Sequence, residues 1–362
     1  MNTAIIGCGF IANLHAKAIR ALGHTIFIVI DRDPGQAEAF AAAYGINQWS
    51  THFEDALNDQ VECIHICTPP TFHYEMIKAA LSAGKHVISE KPLVLKNEQA
   101  VEIIQLAIQN KRVHAVNYNV RFYEACRRAQ QIIRSPDFGP PMIIHGSYQQ
   151  EFHILPAENS WRYQPELAGH MRAVTEIGSH WIDLARFLTG LEITNVSAHF
   201  ANFTPNRILY NGKLYKAENL EPDPIIVQSE DAAVISLQFS NGSIGSILLS
   251  EVSHGRSNAL AIEVVGEKQS IWWQSENSNE LTLASKGEGI KTQIFPFAGG
   301  YPETFADFFE KVYHYIEFPS VKIPDFPTFI DGAINTRVCN AIYDSAQQNS
   351  AWISVNYGEK DE

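Results

Sequence analysis

Residues 2–31 read NTAIIGCGFIANLHAKAIRALGHTIFIVID, and this stretch decides the fold. Ala4-Ile5-Ile6 predicts a short buried strand, Gly7-Cys8-Gly9-Phe10-Ile11-Ala12 a turn, 13–22 a helix closed by Gly23, and 25–30 a second strand that ends at Asp31. Gly7 permits a tight turn, Gly9 lets a pyrophosphate approach the backbone, and the small Ala12 lets the helix lie close to the sheet. Free N–H groups at the start of that helix suit the phosphates of a dinucleotide. A carboxylate at Asp31 accepts both ribose hydroxyls and repels a 2′-phosphate, which favours NAD; the adjacent Arg32 leaves NADP open.

A chain of 362 residues is long enough for about two domains with real cores. The net charge of −13, without a basic block, argues against an extended nucleic-acid or anionic-membrane footprint and points to small molecules or other subunits as partners. No apolar run reaches membrane-spanning length, and the first strand follows Met1 too closely to leave room for a leader, so a cytoplasmic protein is expected. Cys8, Cys63, Cys67, Cys126 and Cys339 are odd in number and scattered, with no C-x-x-C pair. Neither a disulfide nor a metal site is expected, and Cys63 and Cys67 read as small core residues.

Strands alternate with helix-length segments to about residue 118: strand 63–66, helix 71–83, strand 86–89, helix 97–110 with Val101, Ile104, Leu106 and Ile108 at helical spacing, and strand 113–116. Such alternation predicts an α/β, doubly wound parallel sheet over 1–120. From Pro141 the pattern changes to longer strands at 142–152, 194–203, 231–239, 243–252, 259–265 and 270–274, joined by turns that include Asn241-Gly242. These predict a second α/β domain, 121–362, with an open-faced, largely antiparallel sheet. Helices are expected at 174–188, ended by Gly190, at 304–316 and at 328–348, the last packing back on one of the domains. Residues 204–227, polar and without a clear period, read as a long surface loop.

Two places offer chemistry. Glu90-Lys91-Pro92 follows directly on the strand ending at Ser89, and ligands in open α/β sheets bind at the carboxyl ends of strands. Pro92 keeps Lys91 extended, from where its amine can reach a hydroxyl or carbonyl. Glu176, His180 and Asp183 are spaced to share one face of the 174–188 helix, where a carboxylate can orient an imidazole that takes a proton near neutral pH.

Together these segments identify a resemblance. Gly7 to Ala12, Cys67-Thr68-Pro69-Pro70-Thr71-Phe72-His73, Ala83-Gly84-Lys85-His86-Val87-Ile88-Ser89-Glu90-Lys91-Pro92-Leu93, Asn119-Val120-Arg121-Phe122 and Glu176-Ile177-Gly178-Ser179-His180-Trp181-Ile182-Asp183-Leu184 resemble the glucose-fructose oxidoreductase, inositol dehydrogenase and rhizopine-catabolism (Gfo/Idh/MocA) oxidoreductase family. The resemblance covers nearly the whole chain. It implies a Rossmann domain, a second domain that binds substrate and forms a homodimer or homotetramer, and oxidation or reduction of a sugar or cyclitol with NAD or NADP. It also implies that Lys91 and His180 are catalytic with Glu176, which stands where the family usually has Asp. Phe10, Ile11, Thr68, Pro69, His73, Glu90 and Asn119 join Gly7, Gly9, Asp31, Arg32 and Lys91 at the cofactor, and Arg121 belongs with the substrate. Ser160-Trp161-Arg162-Tyr163 with Glu166-Leu167-Ala168-Gly169 is more loosely similar to a levoglucosan dehydrogenase-like branch, which implies that Trp161 and Arg162 lie near both nicotinamide and sugar. Two other functions stay open: a glycosidase that uses bound NAD transiently, and a non-catalytic dinucleotide- or sugar-binding regulator.

Overall fold

The computed structural model describes residues 1–217, 224–319 and 324–357. The chain divides into two compact units, Met1–Phe122 with Gly299–Thr336, and Tyr123–Ala298 with Arg337–Glu362. The helix Tyr301–Glu317, which sequence order alone assigns to the second domain, therefore belongs to the first unit.

In the first unit the strands are β1 (Asn2–Ile6), β2 (Thr25–Ile30), β3 (Trp49–Ser50), β4 (Cys63–Ile66), β5 (His86–Ser89) and β6 (His114–Val116). They form one parallel sheet in the order β3-β2-β1-β4-β5-β6. The order reverses at the β1/β4 junction, the topological switch point at which such sheets take ligands. Helices α1 (Phe10–Ala21), α2 (Pro34–Tyr44), α3 (His73–Ser82) and α4 (Asn97–Gln109) connect them. Because side chains alternate across a strand, Ala4 and Ile6 face one core with Ile64, Val87, Ile77 and Ile103. Ile5 faces the other, with Ala12 and Ile19 of α1 and Phe305, Phe308 and Phe309 of the Tyr301–Glu317 helix. The helix expected at 97–110 is α4; Ala100, Ile103 and Ala107 are buried and Ile104 and Leu106 pack against the same core, while Val101 and Ile108 are exposed.

The second unit contains α5 (Glu124–Ile133), the short α6 (Pro165–Ala168), α7 (Ser179–Thr189) and two sheets. Strands β7 (Pro141–Gln149), β8 (Ala157–Glu158), β9 (Ile193–Ala201), β10 (Asn206–Tyr210), β11 (Lys213–Lys216), β12 (Ile225–Ile226), β13 (Ala232–Phe239), β14 (Ile244–Ser250), β15 (Ala259–Gly266), β16 (Gln269–Gln274), β17 (Glu280–Ser285), β18 (Gly289–Ile294) and β19 (Ile353–Ser354) follow in chain order. Nine of them form one sheet, β18-β17-β16-β15-β7-β14-β13-β9-β19, antiparallel except that β14 runs parallel to β7. The Asn241-Gly242 turn joins β13 to β14 with Gly242 at φ +88°, as a tight hairpin requires.

The long loop expected over 204–227 is corrected too. Strands β10, β11 and β12 lie there and pair with β8 in a four-stranded sheet, and 218–223 fall outside the described residues. All five cysteines are buried and free, so Cys63 and Cys67 are core residues as expected. Among the described residues no helix is long and apolar enough to cross a membrane, and no cluster of side chains is suited to a metal.

Candidate active site

At the carboxyl edge of the first unit's sheet, the glycine turn is built as its sequence demands. Gly7 sits at φ +90°, and a Cβ on it would stand 2.8 Å from the Cys67 carbonyl oxygen, so only glycine fits between β1 and β4. Gly9, the N-cap of α1, has open space where a Cβ would be, no side chain caps the helix, and no acid lies in its first turn. The helix thus presents unsatisfied N–H groups to an accessible hollow, the arrangement that suits a pyrophosphate. Phe10 is exposed beside it and Ile11 half-buried.

Asp31, half-buried at the end of β2, accepts the Cys8 N–H at 2.8 Å and the Asp33 N–H at 3.0 Å. Each oxygen keeps lone pairs for a ribose hydroxyl. Arg32 is exposed. Asn119 donates to Thr304 Oγ1 at 2.8 Å, while its buried Oδ1 has no partner among the described residues. An orphaned acceptor of this kind is one that a bound polar group would satisfy. Together, the hollow at Gly9, the acid at Asp31 and this orphan fit an adenine dinucleotide.

Lys91 follows β5 at the same edge, and the backbone on both sides of it is tied down by histidines. Glu90, buried, accepts from His15 Nε2 at 3.0 Å, from Asn117 Nδ2 at 2.6 Å and from the Lys91 N–H at 3.2 Å. Burial alone would push its carboxyl up, but His15, Asn117 and the nearby Lys91 charge outweigh this and hold it below the ordinary carboxylate range. On the other side His73 spans two carbonyls, those of Pro92 and Thr68, each at 2.9 Å. Burial pulls that imidazole below its ordinary value against the pull of both carbonyls. Glu90 and His73, assigned to the cofactor by resemblance, are thus engaged with protein groups here. Thr68 and Pro69 form the loop that His73 braces, and both are half-buried. Arg121 is paired with Asp331 at 2.7 Å.

In the second unit the 174–188 helix is not uniform. Val174–Gly178 is a π-helical turn that runs into α7, so Glu176 lies in the wide turn and His180 and Asp183 in the regular helix that follows. Gly178 belongs to the wide turn, where a Cβ would meet Leu249 at 2.6 Å. His180 is buried, with the Tyr148 ring 6.4 Å away. Glu176 accepts from Arg162 Nε at 2.9 Å, and the Arg162 guanidinium lies 4.5 Å from the centre of the Trp161 ring. The carboxylate raises Arg162 above its ordinary value.

Behind the π turn lies a buried ionic cluster of Arg172, Arg207, Glu230, Asp231 and Glu251, which no motif or spacing in the chain announces. Glu230 caps the start of the turn, accepting N–H groups from Arg172 and Val174. Arg172 donates to Glu251 at 2.6 Å and to Asp231, which also accepts from Arg207 at 3.1 Å. The two guanidiniums flank the Tyr163 ring.

Two regions match described domain families: residues 1–118 match "Oxidoreductase family, NAD-binding Rossmann fold" and residues 126–272 match "GFO/IDH/MocA C-terminal domain". The chain is similar to levoglucosan dehydrogenase of Pseudarthrobacter phenanthrenivorans, 28% identical across 98% of each chain. It is also similar to scyllo-inositol 2-dehydrogenase (NAD(+)) of Bacillus subtilis, 27% identical across 92% of this chain and 91% of the other. A solved structure of levoglucosan dehydrogenase in complex with NADH and levoglucosan superposes with a TM-score of 0.88 at 26% identity, covering 98% of this chain and 99% of that one.

Proposed function

Because the chain belongs to the GFO/IDH/MocA oxidoreductase family and carries its NAD-binding Rossmann domain, we propose that it oxidises a ring hydroxyl of a sugar, anhydrosugar or cyclitol with NAD. The observation that carries this reading is the pairing, at one carboxyl edge of one sheet, of an uncapped glycine turn with a lysine anchored on both sides. Similarity to levoglucosan and inositol dehydrogenases supports the substrate class.

NAD, when bound, supplies the acceptor for the hydride that leaves the carbon being oxidised. The α1 N-terminus and Gly9 bind its pyrophosphate, and Asp31 binds the adenosine ribose. Asn119, Trp161 and Arg162 would hold the nicotinamide end. His180 takes the hydroxyl proton, and Lys91 donates a hydrogen bond to the same oxygen and stabilises its developing charge. Glu176 orients His180 and is itself held by Arg162. Val234, Ile244, Leu248 and Ile143 are exposed on the nine-stranded sheet and support a homodimer or homotetramer formed through that face.

The test is to incubate the purified protein with NAD, and then NADP, against monosaccharides, anhydrosugars and inositols, following reduced-nicotinamide fluorescence. NADH formation with one of these classes is expected. Release of free sugar from a glycoside without net NADH would replace this reading with an NAD-dependent glycosidase. NAD binding without turnover on any compound would replace it with a regulator.

A further inference from the structure

Behind Glu90 runs a buried line of groups for which the proposed reaction has no stated use. Tyr313 Oη lies 2.6 Å from His65 Nε2, His65 Nδ1 lies 2.9 Å from His15 Nδ1, and His15 Nε2 lies 3.0 Å from Glu90. Tyr313 is 2% exposed, and both histidines are fully buried among the rings of Phe305 and Phe309.

The hydrogens along this line are fixed from both ends. An ionised carboxylate only accepts, so His15 Nε2 carries a hydrogen. At the far end, His65 Nε2 is the one partner of the Tyr313 hydroxyl among the described residues, so a buried phenol must donate there or leave its hydrogen unsatisfied. His65 Nε2 is then an acceptor, its Nδ1 carries the hydrogen, and His15 Nδ1 accepts it. Every donor points towards Glu90, and no imidazolium has to be buried against phenylalanine.

We infer that Tyr313, His65 and His15 form a one-way hydrogen-bond wire ending on Glu90, and that His15 is a positioning residue for Lys91. The reason lies in connectivity. Glu90 uses one oxygen on His15 and Asn117 and the other on the Lys91 N–H, so the imidazole that locks the carboxylate also locks the backbone from which the lysine projects. His15 touches neither substrate nor cofactor in this scheme; it acts through Glu90. Besides His15, the titratable groups that face Glu90 are Lys91, Cys67 and His73.

The catalytic consequence rests on the proposed function, whereas the wire itself can be tested without turnover. In the apo protein with 15N-labelled histidine, His65 is expected as the neutral Nδ1–H form and His15 as the neutral Nε2–H form. A doubly protonated His15, or His65 carrying its hydrogen on Nε2, would overturn the wire. The Glu90 carboxyl, followed by 13C NMR, is expected to titrate higher in His15→Leu and to return towards wild type in His15→Gln, which restores a donor; an unmoved midpoint would overturn the positioning claim. With an active substrate, His15→Leu is expected to lower kcat roughly 10²-fold with NAD affinity kept, and His15→Gln to recover most of the loss. Equal impairment of both variants, or of neither, would contradict the inference. A wild type inactive on every compound would reject the dehydrogenase reading and leave the two NMR experiments to decide the wire.

Discussion

Both units bury polar groups next to the residues proposed to act, and they do so by opposite means. Around Glu90 a single carboxylate is satisfied by an imidazole, an amide and a backbone N–H, with the second imidazole and a phenol behind. Around Glu230 and Glu251 the partners are formal ions, with Arg172 and Arg207 set against three acids, all nearly inaccessible. A neutral wire keeps one geometry through hydrogen-bond direction. An ionic cluster does so through attraction between opposite charges, and it loses far more when one member is removed, because a stranded charge costs several times what a stranded hydrogen bond does.

The comparison therefore predicts unequal damage. Arg172→Met should be the most harmful change, about 3–5 kcal/mol in denaturant unfolding, because Asp231 and Glu251 would stay buried without their central cation. His65→Leu strands the Tyr313 hydroxyl and His15 Nδ1 but no charge, so a loss of about 1–3 kcal/mol is expected. Equal losses in the two variants would erase the distinction drawn here.

The pH response should differ as well. Burial pushes Glu251 up to about 7 and Glu230 up to about 6, in spite of Arg172. An acid raised in the folded state binds protons more tightly there than in the unfolded chain. Its stabilising share is complete below the ordinary carboxylate range and is lost as pH rises through the folded value. The thermal midpoint should thus fall by about 2–4 °C between pH 6 and pH 8. Glu251→Gln, which keeps an acceptor for Arg172, should flatten that slope. An unchanged slope would place the titration elsewhere.

The buried parallel strands were legible because each is a short local run rich in apolar residues, and 25–30, 63–66 and 86–89 have the expected limits. Strands β10 and β11 were not, since Asn206, Leu209, Tyr210, Lys213, Tyr215 and Lys216 are exposed and leave no two-residue alternation to read. Lys91 and the glycine turn could be found because their role follows from position on the sheet. The partnership of His15 with Glu90 could not, because the two are 75 positions apart and meet only when α1 packs beside β5. Nor does any local pattern distinguish the π turn at Val174–Gly178 from the α-helix that follows; its cause is tertiary, in Glu230 and in the close approach of Gly178 to Leu249.

The central proposal is that the Lys91 amine and the His180 imidazole serve one chemical step. Its most direct test is a double-mutant cycle on kcat/KM for the best sugar or cyclitol substrate, using Lys91→Met, His180→Ala and their combination, with NAD affinity measured in parallel. Joint action predicts that each single change costs at least roughly 10²-fold, that the double variant is little worse than the weaker single, and that NAD still binds. Losses that multiply, or a near-wild-type rate in either single variant, would contradict it.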